Sequence, residues 1–311
     1  MDGKTRILRA IDHKFSDRFP MDLWADEIVV QSLEKHFQVT GIGDVRKKLD
    51  TDFCYVSPVS LFPTPVPDAQ GIFTDEWGVV KKRCANRYGY YDDVIQNPLA
   101  EAETRGEVDA YPWPSPENWD YSVLKSQCEA GKGKALIGGN GHFFCPGADL
   151  RGYENWLIDI IEESDVGLAI MEHMADYWEV FIRRVVEETK GYLDVLYLAD
   201  DYSSQRGLMI SPQSWRNFFR PYLKRLIEIG KQNGLKIFFH SCGAVRQLIP
   251  DLIEIGVDIL NPIQIRAEGM EPESLAKEYG KDICFHGGVD LQKTLPMGSV
   301  ADVEDEVKRL M

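Results

Sequence analysis

At 311 residues and 44% hydrophobic content, the chain is long enough and apolar enough to build a sizeable core. Its formal net charge of −15, from 35 Lys plus Arg against 50 Asp plus Glu, argues against partners held by phosphate neutralisation, because an acidic surface repels nucleic acid and anionic membranes. No apolar run reaches membrane-spanning length, and MDGKTRILRAIDHKFSDRFPMDLW lacks the apolar stretch of a secretory signal, so a cytoplasmic protein is expected, its six cysteines reduced or serving as ligands.

Short apolar or β-branched runs alternate with amphipathic stretches, the pattern of βα units around a parallel sheet. Core strands are expected at 19–24 (FPMDLW), 52–57 (DFCYVS), 135–141 (ALIGGNG), 195–201 (VLYLADD), 236–242 (KIFFHSC), 258–264 (DILNPIQ) and 283–290 (ICFHGGVD). After the second of these, residues 62–120 break the alternation: FPTPVPD and YPWPSPENW are too Pro-rich for barrel elements, whereas GIFTDEWGVVKKR and NRYGYYDDV suggest a hairpin. That segment reads as a cap inserted into a single domain spanning 1–311. Helices are expected at 164–190, at 212–233 behind a Ser-Pro start, at 245–255 ahead of Gly256, and from the capping Ser299 onward. The expected class is therefore α/β, a (β/α)8 TIM barrel whose eighth strand is missing from this chain, either by C-terminal truncation or through unusual closure.

In such a barrel the C-terminal strand ends form the active-site mouth, so polar residues there are candidates by position. They are Asp22, Asn140, His142, Asp200, Asp201, Tyr202, His240, Cys242, Gln264, His286 and Asp290. His240 and Cys242 share a strand face, imidazole and thiolate are ligands that zinc prefers, and Gly243 lets the backbone turn directly after them. A packed His and a buried thiol would look the same, and two ligands do not define a zinc site. The third ligand stays open among Cys284, His286, Asp201 and Asp290. Asp200 and Asp201 end an apolar run, so unless solvated they must be hydrogen-bonded, metal-bound or paired, Arg206 and Arg220 being the candidate partners. His13, His36 and His173 fall in helices or connections and are expected to be solvated or capping residues.

With HSCG, DD-Y-x2-Q-x-G-x-M-I-S-P and FHGGVD in hand, the chain resembles the uroporphyrinogen decarboxylase superfamily, above all its methyltransferase-like members that serve corrinoid-dependent methyl transfer. RILRAIDHKFSDRFPMDLW, FTDEWGV, LRGYENWLIDI and GVDLQKTLPMGSVADVEDEV extend the resemblance almost end to end. It implies a (β/α)8 barrel holding Zn2+ through His240 and Cys242, with a third ligand, a C-terminal Cys in the family, missing here or replaced. It also implies a zinc-dependent methyltransferase moving a methyl group between a small-molecule donor or thiol acceptor and a corrinoid protein. The methylcobamide would ride on that partner, because no DxHxxG-type cobalamin segment is present here. Catalytic or ligand-tuning roles would fall to Asp201, His286 and Asp290, and substrate contacts to Asn140, Tyr202 and Gln264. Trp77, Trp113 and Trp119 of the insertion would form a docking lip or lid, or simply pack the cap, and a homodimer is common in the superfamily. The opening FPMDLWADEIV lacks the paired arginines with which true decarboxylases grip porphyrinogen carboxylates. A metal-free decarboxylase-type lyase on a small carboxylated substrate, with Asp200 or Asp201 as its electrostatic centre, and a non-catalytic binding protein are the alternatives.

Overall fold

Six of the seven expected core strands form in the computed structural model, which describes every residue except 87 and 88. Phe53–Val56, Ala135–Gly138, Val195–Ala199, Lys236–His240, Ile259–Asn261 and Cys284–Phe285 pair in parallel and in chain order. The sheet curls until Phe53, on its first strand, stands 5.9 Å from the His286 ring just beyond its last. No ladder joins the two edge strands among the described residues, so this is a TIM-barrel-like fold with an open seam.

Strand alternation divides the core in two. Phe53, Ala135, Ile137, Val195, Phe238 and Ile259 point into the barrel, where Ile7 and Ile11 of helix Gly3–Ile11 plug the floor. Their neighbours Leu136, Leu196, Leu198, Ile237, Phe239 and Leu260 point outward into the layer shared with the helices. The largest of these helices, Asp165–Glu188, starts at Ser164, whose hydroxyl accepts the Gly167 amide. The expected helix at 212–233 is two, Pro212–Phe218 and Arg220–Gln232. Ile249–Ile255 ends at Gly256 in the left-handed conformation, and Val300–Leu310 carries the Ser299 cap.

The strand expected at 19–24 is absent. That segment lies in the seam between the two edge strands, where one main-chain bond, from the Asp52 amide to the Met21 carbonyl at 2.7 Å, joins it to the sheet and its other anchors are side chains. The Met21 amide donates to Asp52 at 2.7 Å, the Leu23 amide to its neighbour Asp22 at 2.8 Å, and the Leu23 carbonyl accepts the Arg46 guanidinium at 2.9 Å. Asp52 is itself buried and held by Arg6 and Arg18.

Residues 62–120 depart from the barrel pattern as expected, except that they follow the first observed strand rather than the second. Ile72–Thr74, Val80–Asn86 and Gly89–Gln96 make an antiparallel sheet, and Trp119–Asp120 pairs with Val59–Ser60. The three tryptophans pack inward on Asp165–Glu188: Trp77 on Tyr177, Trp113 stacked 4.7 Å from His173, and Trp119 donating to the Tyr177 hydroxyl at 2.8 Å. Cap packing accounts for all three.

Candidate metal centre

Inward parity brings His240 and Cys242 to the barrel mouth on consecutive inward positions, and Asp201 arrives from the adjacent strand end by the same rule. The His240 Nε2, the Cys242 sulfur and an Asp201 carboxylate oxygen all lie within 4.8 Å of one another. His240 Nε2 is 3.4 Å from Cys242 Sγ and 3.8 Å from Asp201 Oδ1, while the Cys242 amide donates to that same oxygen at 2.7 Å. Ligands about 2.0–2.3 Å from a tetrahedral zinc ion stand roughly 3.3–3.7 Å apart, so an N, S, O donor set of this spacing fits such an ion. Burial, and then the Asp201 charge, push the Cys242 thiol up to about 11, so without a cation the proton stays on sulfur.

Behind these donors runs a polar row. His240 faces Asn261 across the parallel ladder, and the next step of the register sets Asn261 level with His286, so three inward side chains stand abreast. His240 Nδ1 lies 2.6 Å from Asn261 Oδ1, and Asn261 Nδ2 lies 2.7 Å from His286 Nδ1. His286 Nε2 meets Asp22 Oδ2 at 3.2 Å across the seam. Tyr55 also donates to Asp22 and receives the Trp24 indole N–H. Burial works to raise the Asp22 carboxyl, but His286 and Tyr55 outweigh it and hold the group below the usual carboxylate range. Trp24 then stacks on His240 at 5.5 Å, and Tyr197, pushed up to about 12 by burial and then by Asp201 and Cys242, lines the wall.

Of the other candidates, Gln264 comes to the centre: its amide sits beside the Cys242 thiol and accepts from Gln205. Asn140 turns its side-chain oxygen to the Gly141 amide at 2.9 Å. His142 feels Asp201 but is held neutral by burial, which pushes it down to about 4. Tyr202 corrects the sequence reading. It has outward parity, is fully buried among Phe144, Trp215 and Phe219, and offers nothing to a substrate. Asp200, likewise outward, accepts the Phe143 and Phe144 amides at 2.9 Å. Neither aspartate pairs with Arg220, which bonds Glu254 and Asp251. Asp290 is not brought to the donors either. It pairs with Arg266 and accepts the Gln292, Lys293 and Thr294 amides, the work of a loop anchor. Cys284 packs into the barrel core.

Sequence reasoning missed Asn261, Tyr55, Trp24 and Tyr197. All but Trp24 carry inward parity on a strand, a signal that was present in the alternation.

A family model described as uroporphyrinogen decarboxylase (URO-D) matches residues 129–311. Nine chains of solved structures match the fold, among them a methyltransferase from Methanosarcina mazei with a TM-score of 0.68, covering 100% of this chain and 89% of that one at 15% identity. No curated protein matches the sequence. Among the described residues, no helix is long and apolar enough to cross a membrane.

Proposed function

This chain belongs to the uroporphyrinogen decarboxylase family, and from that premise and its donor set we propose that it is a zinc-dependent methyltransferase working between a small molecule and a corrinoid protein. The observation that carries the reading is the Asp201, His240 and Cys242 group, with ligand types and spacing suited to zinc. In this reading His240 Nε2, Cys242 Sγ and one Asp201 oxygen hold the ion. Asp201 takes the place of the third ligand that the sequence left open.

Zinc, when bound, supplies Lewis acidity at neutral pH, favouring a thiolate acceptor or polarising the leaving atom of a methyl donor. The chain's own residues do the rest. The Cys242 amide fixes the Asp201 carboxylate, Gln264 sits against the thiol, and Trp24 and Tyr197 line the mouth beside the donors, Trp24 against the His240 ring. The methylated cobamide, carried by a partner protein, would be presented at this mouth.

Decarboxylation of a porphyrinogen-like polycarboxylate is disfavoured by the N-terminal arginines: Arg6 is tied to Asp17 and Asp52, and Arg18 to Asp50 and Asp52, which leaves neither to grip such a substrate.

Elemental analysis of the purified protein, with Cys242→Ala and Asp201→Ala beside it, tests the proposal. About one equivalent of zinc, lost in both variants, supports it, and methyl transfer from candidate donors to added cob(I)alamin should then be abolished by a chelator and restored by zinc. Metal-free protein, or zinc that survives both substitutions, sinks it.

A further inference from the structure

The polar row behind the donors has a direction, and Asp22 sets it. A carboxylate only accepts hydrogen bonds at neutral pH, so the His286 nitrogen facing it, Nε2, must carry the proton. In a neutral ring the other nitrogen, Nδ1, is then a lone pair, and it faces the Asn261 amide nitrogen, which only donates. Donating from nitrogen orients the carboxamide so that its oxygen faces His240 Nδ1, as observed at 2.6 Å. An oxygen there demands a proton on Nδ1 and leaves His240 Nε2 as the unprotonated atom. Every donor in the row meets an acceptor, whereas the reversed arrangement sets a lone pair against the Asp22 charge.

We propose that Asp22, His286 and Asn261 form a one-way hydrogen-bond chain that fixes His240 as its Nδ1–H tautomer, turning the Nε2 lone pair toward Asp201 and Cys242. The three are positioning residues, acting on the site only through His240. The chain crosses the open seam: Asp22 reaches it from a segment held to the sheet by a single main-chain bond and several side chains, so the 19–24 stretch has a role in ligand orientation that its lack of a ladder would not suggest. An imidazole whose second nitrogen donates to a fixed acceptor is a better ligand, and outer partners of this kind typically contribute about 10- to 100-fold in metal affinity. The inference rests on the zinc reading only for its consequence; the tautomer itself belongs to the metal-free protein.

The experiment uses the full chain labelled with 15N-histidine, with His240 assigned by comparison with His240→Gln. Long-range 1H–15N correlation of the metal-free protein reports which ring nitrogen carries the proton. The wild type should show Nδ1–H at His240, and Asn261→Ala and His286→Leu should lose that preference. Zinc affinity, read by competition with a chromophoric chelator, should fall about 10- to 100-fold in both variants. His286→Gln keeps a donor for Asp22 and an acceptor for Asn261, so it should restore both the tautomer and the affinity to within a few-fold. A purely structural role for the row would not predict that rescue, and if Asn261→Ala fails to fold, the His286→Leu and His286→Gln pair still decides. Nε2–H at His240 in the wild type, or a tautomer unmoved by the substitutions, overturns the inference. So does zinc affinity unchanged in His286→Leu. Failure of the wild type to bind zinc would remove the metal reading, and the tautomer measurement would still judge the chain.

Discussion

Two strand-end turns of the barrel each bury an aspartate on backbone amides, and the two carboxylates end in opposite electrostatic states. Asp200, after Val195–Ala199, accepts the Phe143 and Phe144 amides with no cation beside it, and burial pushes it up to about 7. Asp290, after Cys284–Phe285, accepts three successive amides and also meets Arg266. There burial works to raise it, but the guanidinium and the amides prevail and hold it at about 2. Asp200 is the more deeply desolvated of the two and also feels the neighbouring Asp201 charge, whereas Asp290 has a third amide and a guanidinium on its side.

The largest effect is expected from Asp290→Ala, which leaves Arg266 and three amides without their acceptor and should destabilise the protein by about 2–4 kcal/mol in urea titrations at pH 7. Loss of less than about 0.5 kcal/mol would show that solvent satisfies that turn. Arg266→Ala should cost about 1 kcal/mol, because the arginine is partly exposed and the amides remain. Smallest at pH 7 is Asp200→Asn, within about 1 kcal/mol, since the amide keeps one acceptor and replaces a carboxyl that burial already holds partly protonated there.

Their pH signatures should run in opposite directions. Asp290 has a folded value below its unfolded one, so its contribution is present above about pH 4 and is lost as the pH falls toward 2. Asp200 has a folded value above its unfolded one, so its contribution is present below about pH 4 and is lost as the pH rises toward 7. Stability measured from pH 2 to 8 should flatten in the acid window for Asp290→Asn and between pH 4 and 7 for Asp200→Asn. Both variants tracking the wild type would refute the contrast.

Much of this was legible in the alternation of six strand runs. KIFFHSC fixed the placement of His240 and Cys242, because Phe238, His240 and Cys242 share the inward face. The same arithmetic, applied to VLYLADDY, separates Asp201 from Asp200 and Tyr202; the misreading of Tyr202 came from treating a strand end as if every polar residue on it faced the mouth. Asn261 escaped notice because an amide between two apolar residues and a proline carries no ligand signature, and its partners lie 21 and 25 positions away in sequence. The strand expected at 19–24 failed for a local reason that pattern does not carry: Asp52 and Asp22 take the amides a neighbouring strand would have bonded. The missing closure of the barrel was legible as a count, seven runs instead of eight, and became six.

That seam has a kinetic consequence. A ladder breaks one bond at a time along its length and protects its amides as a cooperative unit, whereas residues 19–24 are fastened at separate points, by one main-chain bond from the Asp52 amide to the Met21 carbonyl and by the Asp52, Asp22 and Arg46 side chains. Amide hydrogens there should exchange with solvent in small local openings, far sooner than those of Lys236–His240, each opening lifting Trp24 from the His240 ring and admitting molecules to the barrel without unzipping the sheet.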